Sequence, residues 1–266
     1  MSIARYIEKL SLAGDGAQDP SLLSADRSVS RVRGGVESTA AGSIADPGKL
    51  KAAVDAGSIL SFVDGVGPQD KLDILYAVQL AQRGASGAFD RHTQTRSWYQ
   101  KYTEILENLG WAGEQFGFSS HDQGEGEFRM DKQALAIVAA IATQNQLAVL
   151  QKSIEVLQAM AEGDGTIKLF DYHACAEMSG NFQLGAVQKS ANGALSMALG
   201  AFYFRTTEAR RRFLFFAWGA KNVNFWTSAQ RLTFNTAFYA QHREAVLQKL
   251  GARAAAFVGE LVLGDR

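Results

Sequence analysis

An acid, an imidazole and a thiol follow one another closely in the segment Asp171-Tyr172-His173-Ala174-Cys175. Alternate positions of a β-strand face the same side, so a strand here places Asp171, His173 and Cys175 together. That order is typical of a nucleophile with an activating base, because a neighbouring imidazole increases the fraction of thiolate. Cys175 is the only cysteine of the chain, which excludes an intramolecular disulfide framework and a cysteine-rich zinc module.

Three interpretations of Cys175 follow from its residue type and surroundings. Free cysteine is among the most buried residue types, so a small thiol packed in the core is the first. The second is a reactive thiol that accepts an acyl group, and the third is a catalytic nucleophile with His173 as its base. Three residues in a line on one strand do not easily surround a substrate, which counts against a hydrolytic triad.

Two other charged segments have the residue types of a binding site. Arg210-Arg211-Arg212 lies at a predicted strand entrance. These arginines could bind an anionic group such as a phospholipid headgroup. Alternatively, they form a solvated strand end that prevents edge-to-edge pairing. Asp122, Glu125 and Glu127 lie in a glycine-containing loop, but calcium binding requires more regular spacing of oxygen ligands. We therefore predict no metal site.

Composition excludes several classes of protein. The 266 residues include 27 Lys and Arg and 27 Asp and Glu, and this zero net charge argues against non-specific nucleic-acid binding. A hydrophobic fraction of 47% excludes a disordered chain. Charged residues interrupt the N-terminal ten residues, so we expect no signal peptide and synthesis in the cytosol. The longest apolar run is far shorter than the ~20 residues of a spanning helix, so membrane contact would require a lipid or a partner.

Apolar periodicity and turn residues predict helices first and strands later. Helices are expected from Pro68 to Gly84, from Thr95 to Gly110, from Asp131 to Gly163 with an interruption near Thr143, and from Asn235 onwards. A short helix is expected at Lys49 to Ala56. Five strands are expected at 166–175, 181–189, 194–205, 211–219 and 222–233, with a hairpin turn at Asn192-Gly193.

Short connections make neighbouring strands antiparallel, so these five strands predict a β-meander. Both faces of the central strands are apolar, and helices must cover both. We therefore expect an α+β fold in which a five-stranded antiparallel sheet lies between helical layers. Residues 1–48 are predicted to be a loop-rich N-terminal segment and residues 49–266 a single α/β/α domain. The many aromatic residues either fill the core or line a cavity for an acyl chain.

Two stretches together resemble the Evf-like family of bacterial virulence factors. The first runs from Ser61-Phe62-Val63-Asp64-Gly65-Val66 through Phe89-Asp90-Arg91 and Trp98-Tyr99 to Leu109-Gly110-Trp111. The second comprises Gly180-Asn181-Phe182-Gln183-Leu184-Gly185, Gly200-Ala201-Phe202-Tyr203-Phe204 and Leu232-Thr233-Phe234-Asn235. The resemblance implies an α/β/α fold and a palmitate held in thioester linkage to a cysteine, with its chain in an apolar cavity. Here Cys175 is the only acceptor, unless the family's cysteine corresponds to a position near Val187, in which case this chain lacks it.

The sequence therefore leaves three candidate functions. One is an Evf-like virulence protein of an insect pathogen that carries or binds a fatty acyl chain such as palmitate and acts near membranes, either released or held there by its lipid. Another is an acyl-transferring or thioester-hydrolysing enzyme that uses Cys175 and His173. The third is a non-enzymatic binding module or an oligomeric structural protein. The oligomeric state and the molecular target do not follow from the sequence.

Overall fold

The computed structural model describes residues 2–13, 44, 46–114, 117–121, 125–161, 163–207, 212–251, 254 and 257–263. Most of the predicted loop-rich segment 1–48 lies outside these residues, so the domain division after residue 48 stays a prediction. In the described residues no helix is both long enough and apolar enough to cross a membrane.

The described residues form eight α-helices. The helices are α1 (Ile3–Lys9), α2 (Pro68–Ala88), α3 (Thr95–Asn108), α4 (Met130–Ala139), α5 (Gln144–Ala159), α6 (Gly165–Ala174), α7 (Thr236–Ala240) and α8 (Arg243–Leu250). Pro68 begins α2 as predicted, because a first-turn residue needs no N–H partner within the helix. The interruption expected near Thr143 is a helix boundary, where Thr143 and Gln146 form a capping box that starts α5.

The strands are β1 (Ala52–Asp55), β2 (Ser58–Phe62), β3 (Trp111–Gly113), β4 (Ser119–Ser120), β5 (Glu127–Arg129), β6 (Cys175–Ala176), β7 (Ser179–Lys189), β8 (Leu195–Thr206), β9 (Ala217–Gly219), β10 (Val223–Phe234) and β11 (Val258–Leu261). The main sheet has nine strands. Its central path runs β11-β1-β2-β7-β8-β10-β3, while β4 pairs with β10 and β6 with β7. β5 and β9 form a separate two-stranded sheet.

The predicted five-stranded antiparallel meander is wrong. Its strands at 181–189, 194–205 and 222–233 are confirmed as β7, β8 and β10, which pair antiparallel in that order. On the other side of β7, however, β2 pairs parallel to it, in a register that aligns Ser58 with Gln183 and Phe62 with Val187. The sheet is therefore mixed and larger than predicted, because strands more than 100 residues apart in sequence complete it.

The predicted strand at 166–175 is also wrong, since these residues form α6 and its end. Asp164 accepts a hydrogen bond from the Thr166 backbone N–H at 2.7 Å and so caps the helix. Ile167, Phe170 and Ala174 are buried at helical spacing, whereas a strand would bury alternate residues. The apolar and aromatic content of the segment suggested a strand, but its periodicity of three to four residues is that of a helix.

Two further expectations about local structure are wrong. The predicted strand at 211–219 contains a 3₁₀ turn at Phe213–Phe215, which follows Arg212 in the left-handed region, and only the short strand β9 comes after it. The short helix predicted at Lys49 to Ala56 is instead β1. Ala56 has a φ of 50°, which reverses the chain so that β2 pairs with β1.

Helices cover both faces of the sheet, as the apolar strand faces indicated. One core cluster joins the sheet to α1, α2, α3, α7 and α8, and the other joins its opposite face to α4, α5 and α6. Because both faces are buried, polar side chains of the central strands must find their partners inside the protein.

Candidate functional site

The predicted set of Asp171, His173 and Cys175 lies at the C-terminal end of α6 rather than along a strand. Cys175 ends this helix, and its backbone N–H donates to the Asp171 carbonyl. Four residues apart, Asp171 and Cys175 are neighbours on the helix, whereas His173 is two residues from each and leaves the helix in another direction. The His173 ring instead lies 5.0 Å from the Tyr172 ring and 5.2 Å from the Phe257 ring.

The electrostatics of this helix end do not activate the thiol. Burial raises the pKa of Cys175 to about 12, and the Asp171 carboxylate contributes in the same direction. Burial lowers the pKa of His173 to about 3, with smaller contributions from Arg91 and His92. No hydrogen bond joins His173 to Cys175 in the described part of the chain. The catalytic and acylation roles of Cys175 stay predictions.

Arg212 is used within the fold. Its guanidinium donates to the backbone carbonyls of Gln158 and, at 3.0 Å, Met160, and its own N–H donates to the Asp171 carboxylate at 2.8 Å. It thus supplies positive charge at the C-terminal end of α5, where the helix dipole favours a cation. Arg210 and Arg211 lie outside the described residues, as does Asp122 of the acidic loop. Among the residues that the structure covers, no group of three metal-ligating side chains is found.

A buried polar cluster that the sequence analysis did not identify lies around Arg91, between α2, α3 and the sheet. We call Arg91, Gln82, Tyr99, Asn181 and Gln183 the Arg91 cluster. All five side chains are buried. Arg91 comes from the turn between α2 and α3, Gln82 and Tyr99 from these two helices, and Asn181 and Gln183 from β7.

Arg91 ties this turn to both neighbouring elements. Its Nε donates to the Asn181 side-chain oxygen and its Nη2 to the Asn181 carbonyl at 3.3 Å. The same Nη2 donates to Gln183 Oε1 at 3.0 Å, while Nη1 donates to Gln82 Oε1 at 2.9 Å. In return, the Asn181 amide donates to the Arg91 carbonyl at 2.6 Å. The guanidinium also lies 4.5 Å from the centre of the Trp98 ring, within the range of a cation–π contact.

The network continues beyond the guanidinium into both layers. Gln183 donates to the Tyr99 hydroxyl at 2.5 Å and accepts from Ser58 at 2.7 Å. At Gly57, in the turn between β1 and β2, an added Cβ would overlap the Arg91 guanidinium, so the backbone passes this close only because the residue is glycine. Burial lowers the pKa of Arg91 to about 10, which leaves it charged at neutral pH.

Asp55 is a fully buried carboxyl at the edge of this cluster. Neither of its oxygens has a hydrogen-bond donor among the described residues, although Gln79 approaches the carboxyl closely enough to influence it. Arg91 and Arg83 also favour the charged form, but Arg91 directs its N–H groups to other acceptors. Burial therefore dominates and raises the pKa of Asp55 well above its ordinary value.

The Arg91 cluster joins two of the stretches that carried the family resemblance. Phe89-Asp90-Arg91 and Asn181-Phe182-Gln183 are about 90 residues apart in sequence and in direct contact in the fold. Polar residues inside an otherwise buried strand were the signal that could have identified the site. All five side chains of the cluster are buried and hydrogen-bonded to one another, so the arrangement acts as a clasp between the layers.

A groove of about 670 Å³ lies on the surface between the end of β2 and α5. Phe62, Val63, Val149 and Leu263 provide apolar walls, and Lys51 and Lys152 are the basic residues that line it. Other lining residues are Asp64, Asn145, Ala148, Gln151 and Glu155. The volume is within the roughly 300–1,000 Å³ of small-molecule sites. An apolar wall with placed charges suits an amphiphilic ligand.

The groove and Cys175 lie at opposite ends of β7. Cys175 pairs with Gly180 near the start of this strand, whereas the Val63 N–H, at the groove, donates to the Val187 carbonyl. Seven residues at ~3.3 Å each separate the two ends by about 23 Å. Val187, the alternative position considered for the family's cysteine, is therefore hydrogen-bonded to a residue of the groove, but neither Val187 nor Cys175 lines the groove.

Comparisons with known proteins give only distant similarity of fold. No protein-family model and no curated protein matches the sequence. A solved structure of a delta-endotoxin has a TM-score of 0.39 and 11% identity, over 68% of this chain and 81% of that one. Activated Cyt2Ba from Bacillus thuringiensis subsp. israelensis has a TM-score of 0.40 and 11% identity, over 67% of this chain and 96% of that one. The Evf virulence factor has a TM-score of 0.32 and 8% identity, over 80% of this chain and 84% of that one. The resemblance to Evf is thus found as distant similarity of fold, and family membership is not shown.

Proposed function

We propose that the protein is a virulence-associated factor that acts at lipid surfaces and binds a fatty acyl chain without a covalent bond, in the groove between β2 and α5. The observation that carries this proposal is the groove itself. It combines a volume suited to a small ligand with one apolar wall and two lysines. The lysines favour an anionic head and the apolar residues an apolar tail, and the acidic residues Asp64 and Glu155 also line the groove.

The lining residues divide the groove into a part for the tail and a part for the head. Phe62, Val149 and Leu263 would contact the chain, and each buried CH₂ would contribute about 0.8 kcal/mol. Lys51 and Lys152 would attract the carboxylate. Lys152 is 3.9 Å from Glu155, a separation at which a half-exposed ion pair contributes little, so its ammonium can turn to a ligand.

A groove ligand and a thioester are separate proposals because about 23 Å of β7 lies between Val187 and Cys175. A thioester at Cys175 would release its acyl group on treatment with hydroxylamine, and intact-mass measurement would record the loss. A ligand held only in the groove leaves the intact mass of the denatured protein unchanged and appears in the organic extract of the native protein.

The test compares two alanine-to-tryptophan substitutions on the exposed surface of α5. Ala148→Trp fills the groove, and Ala159→Trp changes the same helix at its end, outside the groove. Titration of each variant with a fluorescent fatty acid of palmitate length measures binding. We expect at least tenfold weaker binding by Ala148→Trp and wild-type binding by Ala159→Trp. Equal binding by both variants, or no binding by the wild type, would exclude the groove as the site.

A further inference from the structure

A second feature of the molecule is the corner where the turn between α2 and α3 meets β7, the β1–β2 turn and the end of α6. The turn contains Asp90, Arg91 and His92, and the end of α6 contributes His173. Phe257 joins these parts. Its ring contacts His173 on one side and lies 4.8 Å from the Arg83 guanidinium, and its carbonyl accepts from the Ala56 N–H at 2.7 Å.

We propose that this corner is an acid-sensitive latch, in which proton uptake by His92 and His173 beside Arg91 loosens the attachment of residues 89–94 to β7. The inference goes beyond the proposed lipid binding and does not depend on it. It rests on the positions of the two imidazoles: His92 follows Arg91 in the turn, and the His173 ring contacts Phe257, which also contacts the Arg83 guanidinium. The Arg91 guanidinium is buried, and four of its N–H groups already have acceptors. Charging either imidazole places like charge beside Arg91 without adding a partner.

The groups that face the latch from the surrounding elements supply little negative charge. From α2 come Gln79, Gln82 and Arg83, from α3 the hydroxyls of Tyr99 and Tyr102, and from β1 the carboxyl of Asp55. The pKa of Asp55 is raised by burial, so this carboxyl is a weak counter-charge. The positive charge of the two buried arginines, Arg83 and Arg91, therefore already exceeds the negative charge of these groups before the imidazoles gain protons.

Asp90 is the acid that precedes Arg91 and His92 in the turn, and its Oδ1 is engaged within that turn. Its carboxylate accepts hydrogen bonds from the His92 N–H at 3.0 Å, the Thr93 N–H at 2.7 Å and the Thr93 hydroxyl at 2.7 Å. The His92 Nδ1 is buried and has no hydrogen-bond partner in the part of the chain described. A protonated His92 would thus add a buried N–H without an acceptor.

The direction of the pH dependence follows from these positions. Burial lowers the pKa of His92 to about 4 and that of His173 to about 3, below the ~6.5 of a solvated imidazole. The closed corner is therefore favoured above about pH 6.5 and is progressively lost as the pH falls toward these values. For one imidazole with a normal pKa when open, the open fraction rises about 30-fold between about pH 7.5 and about pH 5.

The experiment uses the four histidines of the chain as two matched pairs. Hydrogen exchange of the backbone amides of residues 89–94, corrected for intrinsic rates, is measured near pH 7.5 and near pH 5 in the full-length protein without lipid. We expect protection in the wild type to fall at least tenfold in acid. The double variant His92→Gln/His173→Gln should lose most of this response. The control double variant His121→Gln/His242→Gln should retain it.

An acid response that persists in His92→Gln/His173→Gln, or a wild type that keeps its protection, would overturn the latch. A second measurement tests the latch in the wild-type protein, without any substitution. In a titration of the wild type by NMR, two of the four imidazole resonances should have midpoints well below 6.5. Four midpoints near 6.5 would show that the corner does not resist protonation, and the inference would be wrong.

Discussion

Replacing Arg91 by methionine tests whether the Arg91 cluster fastens the helical layer to the sheet. Methionine keeps much of the length and apolar stem of arginine and removes every N–H of the guanidinium. Four buried hydrogen bonds are then lost, to the two oxygens of Asn181 and to the side chains of Gln82 and Gln183. The contact of the cation with the Trp98 ring is lost as well.

The expected cost follows from opposing contributions. A hydrogen bond from a charged donor is worth roughly 1.5–3 kcal/mol, so four such bonds set an upper limit that no single substitution reaches. Removing the guanidinium also removes its desolvation penalty, which is several kcal/mol for a buried ion. The buried oxygens left without donors remain as the net loss. We therefore expect Arg91→Met to lower the free energy of unfolding by about 2–4 kcal/mol.

Urea unfolding followed by circular dichroism at neutral pH measures this difference. Lys49→Met is the control, because Lys49 pairs with Asp46 at 3.6 Å on the exposed surface and should change stability by less than about 0.5 kcal/mol. A loss below about 1 kcal/mol for Arg91→Met would refute the interpretation of the cluster as a clasp. It would mean that the guanidinium's desolvation cancels its hydrogen bonds.

Two further predictions concern the buried carboxyl and the thiol. Asp55→Asn should stabilise the protein, because the pKa of Asp55 is raised in the folded state and wild-type stability falls as the pH rises above ~3.9. The urea midpoints of the wild type and of Asp55→Asn, measured across a pH series, should differ more as the pH rises. A difference that stays constant with pH would contradict this expectation. Cys175 should react with iodoacetamide near pH 8 at least tenfold more slowly in the folded protein than in urea, since burial raises its pKa to about 12. Equal rates in the two states would show that the fold does not suppress the reactivity of the thiol.

Local signals predicted the long strands of this fold and its helices other than α1 and α6. Pro68 marks the start of α2, the Thr143 capping box separates α4 from α5, and Asn235 caps α7 through its side chain. The hairpin between β7 and β8 was predicted from Asn192-Gly193, although only Gly193 has a positive φ. Each of these features depends on residues within a few positions of one another, which a sequence shows directly.

The mixed sheet and the Arg91 cluster depend on contacts that a single sequence does not show. β2 pairs with β7 across 125 residues, and Arg91 contacts Asn181 across 90. In β1 and β2 every residue is buried, so the alternation that usually identifies a strand is absent. Asp171, His173 and Cys175 were predicted to share one face because the segment was predicted to be a strand. The segment is a helix, as its local periodicity indicates, so the three side chains do not lie together in that way.

The most direct test of the proposed function is to locate a bound fatty acyl chain on the protein. A palmitate analogue that carries a photoreactive diazirine would be bound to the native protein, irradiated, and the labelled peptides identified by mass spectrometry. We expect labels on residues 145–155 of α5 and on the segment around Phe62 and Val63. Labels confined to the segment around Cys175, or no saturable labelling, would contradict the groove as the site of lipid binding.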